Sequence, residues 1–154
     1  MDRYFEDLEV GETDDLGSET LTEAAIIEFG ELWDPLPQHT DREGAADSLP
    51  GTLIASGLHT LCVANRLATG AVREELAGSI GLGFSDVRWP ASVEPGDEVA
   101  FRHEVVGKRP SESDPAFGVV TTRLTGEVEG KGLVLEYDTV ALVRRRGADD
   151  ERGG

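Results

Sequence analysis

The apolar positions change period along the chain, and that change divides it into elements. Ile26, Phe29, Gly30 and Trp33 recur at i, i+3, i+4 and i+7 behind Thr22, a suitable N-cap, which predicts a short amphipathic helix ending near Trp33. Asp34-Pro35-Leu36-Pro37 must leave that helix, because each proline removes a donor and biases its predecessor toward extended geometry; a stiff loop is expected. Asp41 can cap a small helix through Ala45 and Ala46, stopped by Leu49-Pro50-Gly51. From Leu53 to Ala68 the chain is apolar almost all round, as in a helix buried on several sides, with Ser56 as a capping candidate, Thr52 as an equal candidate for the start, and Gly70 near the end. Beyond it the texture is that of strands: Ser79–Trp89, Glu98–Val106, Phe117–Val128 and Leu133–Arg144, separated by Glu94–Asp97, Pro110–Pro115 and the hairpin-length Glu129–Gly132. Val99, Phe101, His103 and Val105 alternate with polar residues, as in a strand with one buried face. Residues 1–19, acidic and turn-rich, are expected to lie over the surface. There is no internal repeat. One buried helix followed by four strands predicts an α+β fold, an antiparallel sheet curved around a long central helix.

Composition sets limits on partners. A chain of 154 residues suits a single domain, expected over 1–147, with 148–154 as a disordered tail. The 31 acidic against 14 basic residues give a net charge of −17, and Lys108 and Lys131 are the only lysines. Such a surface repels phosphate backbones and anionic lipid, so neither nucleic acid nor membrane is an expected partner. Acidic excess with few lysines also fits a protein of high-salt, halophilic cytoplasm, where short-range screening relieves self-repulsion. Cys62 is the single cysteine, so no internal disulfide forms; between Leu61 and Val63 it is expected in the core, in a reducing compartment. The N-terminus lacks a basic stretch followed by an apolar run, and no apolar run reaches the roughly 18 residues of a membrane span. A cytoplasmic location is the expectation.

Candidate chemistry centres on Asp34 and His39, five residues apart across Pro37. A carboxylate and an imidazole held close can share one water, the imidazole titrating near neutrality and able to take or give a proton. The surrounding residues, Phe29-Gly-Glu-Leu-Trp-Asp34-Pro-Leu-Pro37-Gln-His39-Thr-Asp41 and later Leu53-Ile-Ala-Ser-Gly57-Leu-His59-Thr, resemble the signature of the MaoC-like hydratases. That signature has an aspartate, a proline three residues on, a histidine two further, and an Ile-Ala-x-Gly segment opening the helix. The likeness runs from Tyr4–Gly11 through Pro95-Gly-Asp97 to the closing Val-Ala-Leu-Val-Arg-Arg strand. It implies a hot-dog fold and a hydro-lyase that reversibly adds water to a 2-enoyl-CoA thioester, giving a 3-hydroxyacyl-CoA, of R configuration in the best-known branch. By the same resemblance Asp34 and His39 activate the water.

Gly57 would supply a free helix-N-terminal amide to the thioester oxygen, and its missing side chain serves either close substrate approach or close packing of helix on sheet. The chain departs from that branch at Leu36, where asparagine is usual, at Ser56, where histidine is usual, and at Asn65, where serine is usual; these three are candidate substrate-binding positions. Two residues beyond Gly57, His59 is either a core histidine or a fourth such position; His103 reads as a core histidine. Arg66, Arg88 and Arg123 flank core elements and are candidates to meet the anionic coenzyme, Arg88 foremost. Coenzyme A enters as part of the substrate, and no cofactor is expected. No metal is expected either: His39-Thr40-Asp41 has no further ligand nearby and Asp41 is accounted for as a cap.

A thioesterase on the same fold is the alternative activity, but its usual carboxylate on the central helix has no counterpart between Leu53 and Arg73. A non-catalytic acyl-CoA-binding subunit is a third reading. Hot-dog subunits pair their sheets side by side, so the resemblance implies a homodimer with sites at the subunit boundary and allows further assembly; the unpaired edge of a lone sheet gives a reason for such pairing.

Overall fold

The computed structural model describes residues 2–148. Five strands, β1 (Thr13–Thr20), β2 (Ser79–Arg88), β3 (Glu98–Pro110), β4 (Phe117–Val128) and β5 (Gly132–Arg144), form one antiparallel sheet in the order β1-β3-β4-β5-β2. Against it lies the central helix α4 (Gly57–Ala71), preceded by α1 (Glu23–Trp33), α2 (Pro37–Thr40) and α3 (Arg42–Ala46). The expected α+β architecture is therefore present.

The local signals account for most of these elements. The Thr22 side chain accepts from Ala25 N–H, the Asp41 carboxylate accepts from Glu43 and Gly44 N–H, and the Ser56 hydroxyl accepts from Leu58 N–H, each closing the open start of a helix. Val99, Phe101, His103 and Val105 are all buried, confirming the period-two reading of β3. Gly130, with φ of +83°, turns β4 into β5 as the Glu129–Gly132 signal predicts. Tyr137, Phe101, Leu124 and Leu135 of the sheet pack with Val63, Ala64 and Ala68 of α4 in one core. A second cluster joins Phe5 and Leu8 to Val105, Val120 and Val143, with Phe5 filling the space that a side chain on Gly118 would need.

Several expectations are corrected. The surface segment 1–19 contains a fifth strand: β1 pairs with β3 from Thr13↔Glu104 to Thr20↔Glu98 although Leu16 is its one apolar residue. An edge strand buries so little that no alternation marks it. The stiff loop holding His39 is instead a helical turn, because Pro37 sits at its first position, where a missing N–H costs nothing. Leu53–Ser56 is not helical, and α4 starts at Gly57. Nor is α4 buried on several sides: His59, Thr60, Val63, Ala64 and Ala68 face inward while Leu58, Cys62 and Arg66 form an exposed stripe. Cys62 is thus at the surface and not in the core. Trp33 is also exposed, at 69 %. The expected tail lies outside the described residues except for Ala148, which is buried.

Candidate active site

The site is assembled where α1 ends and α4 begins. Asp34 is the C-cap of α1, its N–H bonded to Gly30 O at 2.9 Å, and the Leu36-Pro37 step then starts α2. One turn later His39 is buried. Its closeness to α1 depends on Gly30, since a Cβ there would overlap the His39 carbonyl oxygen and come within 2.9 Å of His39 C and Cβ. The backbone from Ile54 to Ser56 crosses below, fastened by Ile54 N–H to Gln38 O and Ala55 N–H to Val93 O, each 2.8 Å.

This frame brings His39 Nε2 to 3.4 Å from Asp34 Oδ2. The other ring nitrogen, Nδ1, lies 2.8 Å from Ile54 O. A carbonyl oxygen can only accept, so Nδ1 carries the hydrogen and a neutral His39 presents the lone pair of Nε2 toward Asp34. The same Asp34 Oδ2 accepts the Ser56 hydroxyl hydrogen at 2.7 Å. Two acceptors, the imidazole lone pair and the carboxylate, therefore face one another with no hydrogen between them. Either an imidazolium proton or a water giving one hydrogen to each relieves that arrangement.

The pair lines a cavity of about 330 Å³ with Ser56, Gly57, Thr60 and Trp89 on its wall. As the first residue of α4, Gly57 has no intrahelical acceptor for its N–H, and none reaches it elsewhere among the described residues. Of the two reasons offered for a glycine here, the structure supports packing: a Cβ would come within 2.6 Å of Trp89 Cδ2, and the indole N–H donates to Gly57 O at 2.9 Å. Trp89 was not singled out from the sequence. It follows the end of β2, 32 residues after Gly57, and no local pattern in the sequence links the two.

Asp34, His39, Ser56 and Gly57 thus converge, whereas the other candidates do not. Ser56, 1 % exposed, holds Asp34 and caps α4, so its contacts are with the protein. His59 is off the cavity wall and stacks on Phe29 at 4.7 Å between ring centroids; burial holds its imidazole below the ordinary value of 6.5. Asn65 lies two turns along α4 and accepts from Arg73 at 2.5 Å. Leu36 is half exposed and likewise off the wall. Arg88 is exposed beside Trp89, without a carboxylate partner among the described residues. Arg66 and Arg123 are paired with Glu19 and Asp138. His103 is buried with Nδ1 3.3 Å from Asp14 Oδ2, and burial lowers its imidazole as well.

A five-stranded antiparallel sheet around one helix, with an imidazole–carboxylate pair at that helix's mouth, defines a hot-dog domain of the hydratase and dehydratase type. The chain belongs to the MaoC like domain family, which matches residues 8–128. It is similar to the MaoC-like dehydratase from Rhodospirillum rubrum, with 34% identity, TM-score 0.86, and coverage of 94% of this chain and 98% of that one. It is also similar to the (R)-hydratase from A. caviae involved in PHA biosynthesis, with 27% identity, TM-score 0.69, and coverage of 87% and 96%. A Mycobacterium tuberculosis protein with a double hotdog fold shares 25% identity at TM-score 0.74, over 95% of this chain and 45% of that one. No protein of curated function matches the sequence. Among the described residues no helix is long and apolar enough to cross a membrane.

Proposed function

We propose that the chain is a hydro-lyase that reversibly adds water to a 2-enoyl-CoA, giving a 3-hydroxyacyl-CoA. The observation that carries this reading is the pair of acceptors 3.4 Å apart, each pinned from behind, His39 by Ile54 O and Asp34 by Ser56. A water that gives one hydrogen to each keeps a lone pair for C3 of the alkene. As the C–O bond forms, Nε2 takes the water proton and the imidazolium is stabilised by the adjacent carboxylate. The electron pair of the double bond moves onto the thioester oxygen, where the Gly57 N–H and the positive end of α4 meet the developing charge. The same proton then passes from Nε2 to C2, which regenerates the pair and completes the addition of one water. Elimination follows the same path backwards.

The exposed stripe of α4 and the unpaired edge of β2, with Ile80, Leu82 and Phe84 at 61 %, 56 % and 51 % exposure, favour a homodimer that covers them. Arg88, at the end of that edge, is the candidate contact for the coenzyme phosphates. The thioesterase alternative lacks its carboxylate on α4, since no Asp or Glu occurs from Leu53 to Arg73. The decisive experiment assays a series of 2-enoyl-CoA substrates at high salt with the parent, Asp34→Asn and His39→Ala. A loss of about 10²-fold or more in each variant is expected. Turnover that stays within about tenfold of the parent in both variants overturns the assignment.

A further inference from the structure

Strand β2 borders two cavities, one at each end. Its last residues run into Trp89 and Pro90, which wall the Asp34–His39 cavity. Its first residues, Ser79 and Gly81 with Gly83, wall a separate cavity of about 210 Å³ between the C-terminal end of α4 and the sheet. The far edge of β2 carries no strand, and a Cβ on Gly81 or Gly83 would meet nothing within 4 Å. If a second copy pairs its own β2 there, antiparallel and in full overlap, Ser79 of one copy lies opposite Arg88 of the other. Each copy's second cavity is then set against the other copy's catalytic cavity.

The lining of this second cavity says what it could hold. Val105, Val120 and Val143 make much of it aliphatic, while Arg73 enters from the turn that follows the C-terminal end of α4. Six arginines elsewhere, Arg3, Arg42, Arg66, Arg123, Arg145 and Arg146, are paired with carboxylates. Arg73 is half-buried, and no carboxylate reaches it among the described residues. Its Nη1 is oriented by neutral acceptors instead, Asn65 Oδ1 at 2.5 Å and Thr69 Oγ1 at 3.3 Å. It lines the cavity together with His103 of the facing sheet, so the guanidinium borders the space between helix and sheet. In a chain of net charge −17, a cation that is held in place but not neutralised, at the wall of an aliphatic cavity, is poised for an anion.

We propose that this cavity receives the acyl tail of the thioester held at the second copy's Asp34–His39 pair, and that Arg73 selects tails ending in a carboxylate. The substrate class is then the coenzyme A thioester of a short unsaturated dicarboxylic acid. The inference rests on the hydratase reading above and on the β2-paired dimer. Asn65, unable to reach its own chain's pair, acts in the site as the residue that aims Arg73.

Two measurements test it. The first is the ratio of kcat/KM for a carboxylate-terminated 2-enoyl-CoA to that for crotonyl-CoA. The parent should favour the charged tail, and the ratio should fall by about tenfold or more in Arg73→Gln, with partial return in Arg73→Lys. The second is a co-expressed, doubly tagged mixed dimer of an Asp34→Asn copy and an Arg73→Gln copy. In that dimer one intact Asp34 faces one intact Arg73 across the subunits, so about half of the parental activity on the charged tail should appear, against a tenth or less in either parent variant. No recovery means that the cavity does not serve the other copy's site, and equal use of both tails by the parent removes the role of Arg73; either result overturns the inference. Failure to turn over any enoyl thioester sinks the hydratase reading instead. Butyrate binding then decides the cavity without catalysis: shifts of the Val105, Val120 and Val143 methyl resonances that are absent with 1-butanol and lost in Arg73→Gln sustain an anion site, and their absence ends it.

Discussion

Alanine at Gly30 tests whether the distance between α1 and α2 sets the chemistry. Glycine inside a helix costs about 1 kcal/mol relative to alanine, so on propensity alone the change should stabilise the protein. The structure predicts otherwise. The added Cβ would overlap the His39 carbonyl oxygen, and its 2.9 Å approach to His39 C and Cβ falls 0.5 Å short of the 3.4 Å at which ordinary contact begins. His39 and α2 must therefore retreat by at least that amount, and by more at the oxygen. Overpacking of this kind costs about 1–3 kcal/mol, which the helix gain offsets in part, so the variant should fold with a net loss of up to about 2 kcal/mol. Its catalytic loss should be larger in proportion. The shift opens the 3.4 Å separation of Nε2 and Oδ2 and drags Nδ1 from Ile54 O, and displacement of that order costs about 10²-fold in rate. Hydration of crotonyl-CoA at saturating and sub-saturating substrate, beside a urea unfolding curve, measures both. A well-folded Gly30→Ala whose kcat/KM stays within about threefold of the parent would show that the approach of α2 to α1 does not govern the pair.

Other consequences are open to simpler tests. Ser56→Gly keeps a tolerated N-cap at a cost of a few tenths of a kcal/mol but frees Asp34, so kcat should drop by about tenfold with little change in melting, and Ser56→Thr should restore it. His59 and His103 are both held below their ordinary 6.5 by burial, so the native state favours their neutral forms and the unfolded chain binds more protons below that pH. Stability should be full above about pH 6.5 and decline as the pH falls toward the lower native values, by roughly 2–5 °C in Tm between pH 7.5 and 5.5. His59→Phe and His103→Phe should each flatten that decline, and an unchanged slope in both variants would refute the cause given. The net charge of −17 predicts a Tm that rises by about 5 °C or more from 0.1 to 2 M KCl. Maximal Tm in dilute buffer would rule out a high-salt adaptation.

How much of this could be read from the chain depends on how far each signal reaches. Thr22, Asp41 and Ser56 act on amides two or three residues away; α1 and α3 start where their caps put them, and of the two starts open for α4 the structure takes Ser56 over Thr52. The alternation from Val99 to Val105 marks a buried face because it repeats. β1 repeats nothing, having Leu16 alone, and its place is set by hydrogen bonds to β3 about eighty to ninety residues away. Cys62 was misplaced for a related reason: α4 carries more than one apolar stripe, and only the packed fold decides which faces the sheet. At the site, Asp34 and His39 were legible through their spacing and surroundings. Asn65 and His59 were not, since their direction from α4 is settled by Arg73 and Phe29, partners that no local pattern announces.

The residues that shape the site most are therefore not those that would touch the substrate. Gly30 sets how near His39 can lie, Ile54 O chooses its tautomer, Pro37 starts the turn that presents it, and Gly57 makes room for Trp89. Each acts through backbone or through the lack of a side chain, and each would pass in a sequence as punctuation. A substitution at any of these positions leaves the Asp34–His39 motif intact to the eye while moving its atoms. On the proposed reading, the spacing of Asp34 and His39 marks the candidate site in the sequence, and the glycines and prolines around them carry the geometry that brings the two side chains together.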